Sequence, residues 1–276
     1  MADITTELFE TNVGKVQLRS GGTGDPLVYL HSAGGEGQDL TFLNDLADNF
    51  SVYAPMSPGF ADSEGGDQID DMEDAVFHLL DLFDRLDLDA PNVLGLSLGG
   101  WMAAELATRY PDRLSTLILV NPAGLYLEGA EIKDIFGRSP AEMAVDLFAD
   151  KSHPMAQMML AMDRTMSDAS ALKDIPFELI EPTLKSMAAA ARLAWNPYLH
   201  NPKLRKRLPR IKVPTLVVRA ERDTLIPEPH SQTYAAEIPG AKLVKVPDVA
   251  HMISVERPAE LSAVVSAFLA SVPQPA

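Results

Sequence analysis

The sequence predicts an α/β fold in which a mostly parallel sheet carries helices on both faces and is interrupted by one helical insertion. Two observations lead to this prediction. Short apolar runs alternate with amphipathic helical patterns over the first 120 residues, and the same alternation resumes at Pro214. Between Leu125 and Leu208 the sequence offers helical patterns and no convincing strand. A sheet whose strands are separated by helices is typically parallel, because each helix supplies a crossover connection.

The individual elements follow from apolar periodicity. Strands are predicted at 27–30, 51–54, 92–96, 115–120, 215–218 and 242–246, and helices at 39–48, 72–86, 98–110, 230–238 and 258–269. We therefore divide the chain into a core, residues 1–124 and 209–276, and a helical cap or lid, residues 125–208. Ligands of open α/β sheets bind at the carboxyl ends of the strands, so an insertion at that edge should cover the ligand-binding site.

Composition excludes several classes of function. The chain has 23 Lys and Arg residues against 39 Asp and Glu residues, a formal net charge of −16, so we expect neither nucleic acid nor an anionic membrane surface as a partner. The absence of cysteine excludes disulfides, thiol catalysis and zinc–thiolate sites. No apolar stretch is long enough to span a membrane, and the first residues do not resemble a secretory signal, so the expected compartment is the cytoplasm.

The most informative motif is Gly-x-Ser-x-Gly, formed by Gly95, Ser97 and Gly99 between a predicted strand and a predicted helix. A sharp turn at this junction, a nucleophile elbow, would strain the backbone of Ser97 and raise its hydroxyl above the sheet. The two glycines leave room for close packing around the turn. Because the following helix points its first amides at the site, the N–H of Leu98 is expected to help stabilise an oxyanion.

Two further stretches extend this pattern. Residues 30–35 (LHSAGG) end a strand, and residues 58–63 (PGFADS) form a later turn. Together with the elbow, they resemble the α/β-hydrolase superfamily, in the lidded branch that contains serine esterases, carbon–carbon bond hydrolases and cofactor-free perhydrolases. The resemblance implies an eight-stranded type of sheet. It also implies that Ala33, in the loop after His31, supplies the second oxyanion-hole amide, with Ser32 as the alternative.

A serine nucleophile needs a base that a third group orients. His251 follows the last predicted strand and fits the superfamily's chain order of serine, acid and histidine. The acid should follow the strand at 215–218. Asp223 occupies the acidic position of the family pattern there, while Glu221 and Asp248 are the alternatives.

Apolar residues near these positions and in the insertion are candidates for the substrate pocket. The insertion holds seven of the 12 methionines, and methionine adapts to irregular apolar shapes. Packing inside the cap is the competing interpretation for each of them. Arg192 could instead reach a substrate carboxylate. The predicted pocket residues are Trp101, Met252, Ser32, Met158, Met162 and Trp195.

The sequence therefore predicts a serine hydrolase that cleaves small carboxylic esters with an apolar acyl or aromatic group, without a metal or an organic cofactor. Carbon–carbon hydrolysis of ring-cleavage dienoates is the alternative, together with cofactor-free perhydrolysis. In the dienoate hydrolases a tryptophan commonly follows the catalytic histidine, whereas Met252 follows His251 here. A ligand-binding receptor on the same fold is the alternative outside catalysis. The oligomeric state, monomer or homodimer, stays open.

Overall fold

A computed structural model describes residues 4–35, 40–166 and 177–272. Its centre is one eight-stranded sheet with the strand order β1-β2-β4-β3-β5-β6-β7-β8. The strands are β1 Thr5–Thr11, β2 Gly14–Gly21, β3 Asp25–Leu30, β4 Phe50–Pro55, β5 Asn92–Leu96, β6 Thr116–Val120, β7 Thr215–Ala220 and β8 Lys242–Val246. The pairs from β4 to β8 are parallel, and only β1 with β2 and β2 with β4 are antiparallel. The predicted α/β class and mostly parallel sheet are confirmed.

The structure adds two strands that the sequence analysis did not predict, β1 and β2. They form an antiparallel hairpin at one edge of the sheet, paired from Thr5 with Ser20 to Thr11 with Gly14. Most of β1 is exposed, so its side chains lack the apolar run that marks the buried strands. Its position far from β7 and β8 keeps it away from the candidate site.

Helices cover both faces of the sheet. They are α1 Thr41–Ala47, α2 Met72–Arg85, α3 Leu98–Arg109, α4 Pro140–Leu147, α5 Pro154–Met166, α6 Phe177–Ala194, α7 Leu204–Arg207, α8 Glu228–Glu237, α9 Ile253–Glu256 and α10 Pro258–Ser271. Side chains from α2, α3 and α8 form one apolar core, and those from α1 and α10 form the other. Because successive side chains of a strand point to opposite faces of the sheet, neighbouring residues belong to different cores. Val93 of β5 lies in the first core and Leu94 in the second. No helix among the described residues is long and apolar enough to cross a membrane.

The region between β6 and β7 contains α4 to α7 and, within its described part, no strand beyond one isolated bridge. The chain leaves and returns to the core at that bridge. The amide of Gly124 donates to the carbonyl of Leu199 at 2.9 Å, and the amide of Asn201 donates back to Gly124 at 3.0 Å. Glu105 of α3 holds this junction in place, because its carboxylate accepts a hydrogen bond from the Asn201 side chain at 2.7 Å. The boundaries 125–208 stay a prediction.

Candidate active site

Ser97 occupies the tight turn between β5 and α3, and its backbone is strained. Its φ of 55° and ψ of −110° lie outside the usual regions for a residue with a side chain. The glycines on either side permit the turn. A Cβ added to Gly99 would stand 2.2 Å from the carbonyl oxygen of Leu30, and one added to Gly95 would stand 2.3 Å from the carbonyl oxygen of Gly99. The motif therefore forms the turn that its sequence predicts.

Asp223 lies in the loop after β7, which we call the acid loop (residues 221–227). Its Oδ1 accepts hydrogen bonds from the amides of Leu225 at 2.9 Å and Ile226 at 3.0 Å. Its Oδ2 lies 2.8 Å from Nδ1 of His251. Both side chains of this pair are almost completely buried. The carboxylate is thus held from one side by backbone amides while its other oxygen orients the imidazole.

The alternatives to Asp223 point elsewhere. Glu221 and Asp248 are exposed, and Asp248 forms a surface ion pair with Arg222. The carboxylate of Glu221 accepts from the amide of Asp248 at 3.3 Å. Of the three acidic candidates, Asp223 is the one that the structure places against the His251 ring.

His251 lies in the loop after β8, the histidine loop (residues 247–252), and a buried asparagine holds this loop to the sheet. Asn121, the residue directly after β6, donates its side-chain N–H to the carbonyl oxygen of His251 at 3.0 Å. Its side-chain oxygen accepts from the amide of Ala220 at 2.9 Å. The sequence analysis missed Asn121. Its position at the end of a buried strand next to a proline is the signal that could have found it.

Ser97 and His251 line one cavity of about 220 Å³. Ser32, Ala33 and Gly34 from the loop after β3 line it as well, at the side of the elbow. The rest of the described lining is apolar and consists of Ile132, Ile135, Met143, Leu147, Phe148, Met155, Met159, Met187, Leu199, Leu225, Ile226 and Met252. Most of these side chains come from the region between β6 and β7, so the insertion supplies most of the cavity wall.

Two hydrogen bonds of His31 shape the loop after β3. Nε2 of His31 accepts from the amide of Ser57 at 2.9 Å, and its Nδ1 lies 2.7 Å from the carbonyl oxygen of Ser32. The hydroxyl of Ser32 accepts from the amide of Gly34 at 3.2 Å. The backbone that contains Ala33 is therefore fixed beside the cavity.

Four of the predicted pocket residues are not part of the described cavity lining. Trp101 packs inside the core, where its indole N–H donates to Glu105 at 3.1 Å. Met158 is 62% exposed and Trp195 is 63% exposed. Met162 lies on α5 without reaching the cavity. Ser32 and Met252 are the predicted pocket residues that line it.

Helical geometry explains the error on α5. Met155 and Met159 are spaced by four residues, as are Met158 and Met162, so either pair could have formed the inward stripe. The first pair faces the cavity. Arg192, the candidate partner for a substrate carboxylate, lies 3.6 Å from Asp70, is about half exposed and does not line the cavity.

A buried carboxylate joins the insertion to the acid loop. Asp146 of α4 accepts from Lys133 at 2.5 Å and also from Arg138 and the Thr224 hydroxyl. Burial alone would raise the pKa of this carboxyl, but the three hydrogen-bond donors outweigh burial and lower the pKa to about 2. Because Thr224 directly follows Asp223, the insertion and the acid loop are tied together.

The insertion also contacts the histidine loop. The amide of Met252 donates to the carbonyl oxygen of Leu147 at 3.0 Å. The carboxylate of Glu256 accepts from the amide of Ala250 at 3.0 Å and from that of Asp150 at 2.5 Å.

Among the described residues, no group of three His, Asp or Glu side chains is placed to hold a metal ion.

Comparison with known proteins identifies the family. The chain matches the model of the alpha/beta hydrolase fold over residues 25–258 and belongs to that family. The 2-hydroxymuconate semialdehyde hydrolase of Pseudomonas sp. (strain CF600) is 28% identical, covering 93% of this chain and 90% of the relative. The pimeloyl-[acyl-carrier protein] methyl ester esterase of Shewanella woodyi is 27% identical, covering 86% and 93%. A solved serine hydrolase involved in carbazole degradation superposes with a TM-score of 0.77 at 19% identity, covering 97% and 99%.

Proposed function

We propose that this α/β hydrolase is a serine esterase that cleaves neutral carboxylic esters through an acyl-enzyme on Ser97. The observation that carries the proposal is the buried pair of His251 and Asp223, joined at 2.8 Å, on the wall of the cavity that Ser97 also lines. The resident groups match the requirements for acyl transfer, which are a nucleophile, a base and an orienting carboxylate.

In the proposed reaction, the Ser97 oxygen attacks the ester carbonyl and passes its proton to Nε2 of His251. Asp223 holds the Nδ1–H and stabilises the imidazolium that forms. The amides of Leu98 and Ala33 donate to the oxyanion of the tetrahedral intermediate. The imidazolium then protonates the departing alcohol oxygen. A water molecule, deprotonated by His251, attacks the acyl-enzyme and releases the acid.

The cavity supports a neutral, apolar acyl group. At about 220 Å³ it exceeds the roughly 150 Å³ cavity that holds benzene in an engineered protein, so a medium-length acyl chain or a single ring fits. Its described lining has three polar side chains, Ser32, Ser97 and His251, and no lysine or arginine. A substrate carboxylate buried there would lack a cationic partner, and burying an unpaired charge is costly.

Carbon–carbon hydrolysis of dienoates is the second candidate, and the comparisons favour it. Two relatives carry such names, including the 2-hydroxy-6-oxo-6-phenylhexa-2,4-dienoate hydrolase of Burkholderia cepacia, 26% identical over 93% of this chain. Their named substrates are carboxylates. The apolar lining and the surface pairing of Arg192 with Asp70 favour an ester instead.

Perhydrolysis is disfavoured by the cavity wall. Five methionines line it: Met143, Met155, Met159, Met187 and Met252. A peracid released at Ser97 would meet these thioethers and convert them to sulfoxides, which are polar and disrupt an apolar surface. A peracid-forming enzyme with this wall would damage its own site.

The test combines a burst assay with a substrate panel. The wild-type protein should release p-nitrophenol from p-nitrophenyl hexanoate with a burst, and mass spectrometry should find the hexanoyl group on Ser97. Ser97→Ala should lower kcat by about 10⁴-fold or more. Ser231→Ala, at a buried serine of α8 outside the cavity lining, is the matched control and should retain the wild-type rate.

Three results would contradict the proposal. Hydrolysis of the ester by Ser97→Ala at the wild-type rate would show that Ser97 is not the nucleophile. A ring-cleavage dienoate turned over far faster than any neutral ester would favour carbon–carbon hydrolysis. Tight binding of the ester without turnover would identify a receptor.

A further inference from the structure

A buried arginine lies beneath the acid loop. Arg219, near the end of β7, has a side chain only 4% exposed. Its guanidinium donates to the backbone carbonyls of Ile226 at 2.6 Å and Asp223 at 2.5 Å, so it bridges two positions within the acid loop. The same group lies 3.4 Å from Oδ2 of Asp223, the oxygen that also contacts His251. One carboxylate oxygen thus stands between a guanidinium and an imidazole.

This arrangement has an electrostatic consequence for the imidazole. A carboxylate next to a histidine favours the protonated ring, whereas a fixed cation on the far side of that carboxylate disfavours it. Arginine keeps its charge at all relevant pH values. Burial lowers the pKa of Arg219, while Asp223 and Glu228 act in the opposite direction, and from an ordinary value of 12.5 the group stays charged near neutrality.

We propose that Arg219 is a positioning residue that holds the acid loop in place and, through its charge, opposes protonation of His251. This inference rests on the proposed esterase function. The sequence analysis did not consider Arg219, because none of the motifs assigns a role to an arginine within an apolar strand. In the structure that partner is the loop that follows the strand.

Most other charged groups near the pair are offset by partners of opposite sign. Glu228 of α8 pairs with Lys245 of β8. Nε2 of His230 in α8 donates to the carbonyl oxygen of Ala130 at 2.7 Å. Burial lowers the pKa of His230, which favours its neutral form. Further charged groups around the two loops are Asp146 with Lys133 and Arg138, Glu256 with Lys151 nearby, and the surface pair of Arg222 with Asp248. Glu221 is exposed, and its carboxylate accepts from the amide of Asp248 at 3.3 Å.

The experiment compares three variants by the pH dependence of kcat/KM on p-nitrophenyl hexanoate. Arg219→Gln removes the charge and should move the midpoint of the acid limb to higher pH by about two units, the size expected for a unit charge at ~6 Å with an effective dielectric of ~20. This separation follows from the guanidinium lying 3.4 Å from Oδ2 of Asp223, which lies 2.8 Å from Nδ1 of His251. Arg219→Lys keeps the charge and should leave the midpoint within about 0.3 units while lowering kcat, since fewer donors hold the loop. Arg222→Gln, which removes an exposed cation from the same loop, is the matched control and should not move the midpoint.

A second measurement separates this inference from the proposed function. The His251 ring can be titrated by NMR in Ser97→Ala protein with and without Arg219→Gln, which needs no turnover. A higher midpoint in the double variant supports the inference even if the esterase proposal fails. An unchanged midpoint overturns it, even if the protein is an esterase.

The inference stays testable if Arg219→Gln does not fold. Arg219→Met replaces the guanidinium by an apolar side chain, which a buried site tolerates better than an unpaired polar group, and it should also move the midpoint of the acid limb to higher pH. An unchanged midpoint in this variant would contradict a role for the charge of Arg219.

Discussion

Removing the carboxylate of Asp146 tests whether the insertion and the acid loop form one structural unit. Its side chain is 2% exposed and has three partners, of which Arg138 is 20% and Lys133 is 44% exposed. Breaking a buried ion pair costs about 3–5 kcal/mol because a charge is left unpaired. Since Lys133 can return to water, we expect Asp146→Ala to lower the free energy of unfolding by about 3 kcal/mol. Urea unfolding at pH 7 measures the loss.

A matched variant isolates the contact with the acid loop. Thr224→Val removes only the hydroxyl that donates to Asp146. It should cost about 1.5 kcal/mol, the value of a hydrogen bond to a charged group. Both variants should also lower kcat/KM, because Thr224 is the neighbour of Asp223. An Asp146→Ala protein within about 0.5 kcal/mol of the wild type would refute the reasoning, since surface substitutions already produce changes of that size.

Three further predictions concern other parts of the molecule. Burial lowers the pKa of His78 to about 4, so as the pH falls the unfolded chain binds a proton at this residue before the folded protein does. The free energy of unfolding should therefore fall by about 3 kcal/mol between pH 7 and pH 4. His78→Leu should reduce this pH dependence, as measured by urea unfolding. Gly99→Ala places a Cβ against the backbone oxygen of Leu30 and should abolish soluble folded protein, as seen by circular dichroism and gel filtration. Met159→Trp fills the cavity and should lower kcat/KM for the hexanoyl ester about 10-fold relative to the acetyl ester, whereas Met158→Trp on the exposed face should leave the ratio unchanged.

The core of the fold was predictable because its signals are local. The central strands are buried on both faces, so each appears in the sequence as a continuous apolar run. The turn at Ser97 depends on glycines that the backbone of the elbow and of Leu30 requires, and those glycines are visible in the motif. The hairpin of β1 and β2 carries a weaker signal, since an exposed edge strand needs few apolar residues.

The cavity wall and the buried polar contacts were not predictable, because they depend on partners that are distant in the chain. Asp146 and Thr224 are 78 residues apart, and Asn121 and His251 are 130 residues apart. The sequence analysis chose Met158 and Met162 on α5, whereas Met155 and Met159, which have the same spacing, line the cavity. Which pair lines the cavity depends on how α5 packs against the segment containing Phe148.

The end of α4 and the segment after it combine two tasks that are usually considered separately. Leu147 and Phe148 form part of the cavity wall, while the backbone of the same segment accepts from Met252 and donates to Glu256. Moving this part of the insertion away from the core would break its hydrogen bonds to Met252 and Glu256. It would also break the hydrogen bond between Asp146 and Thr224 of the acid loop. A wholesale opening of the insertion would therefore disorganise the groups proposed to perform the reaction. The hydrogen bonds of this segment therefore keep the histidine loop and the acid loop aligned while its side chains line the cavity.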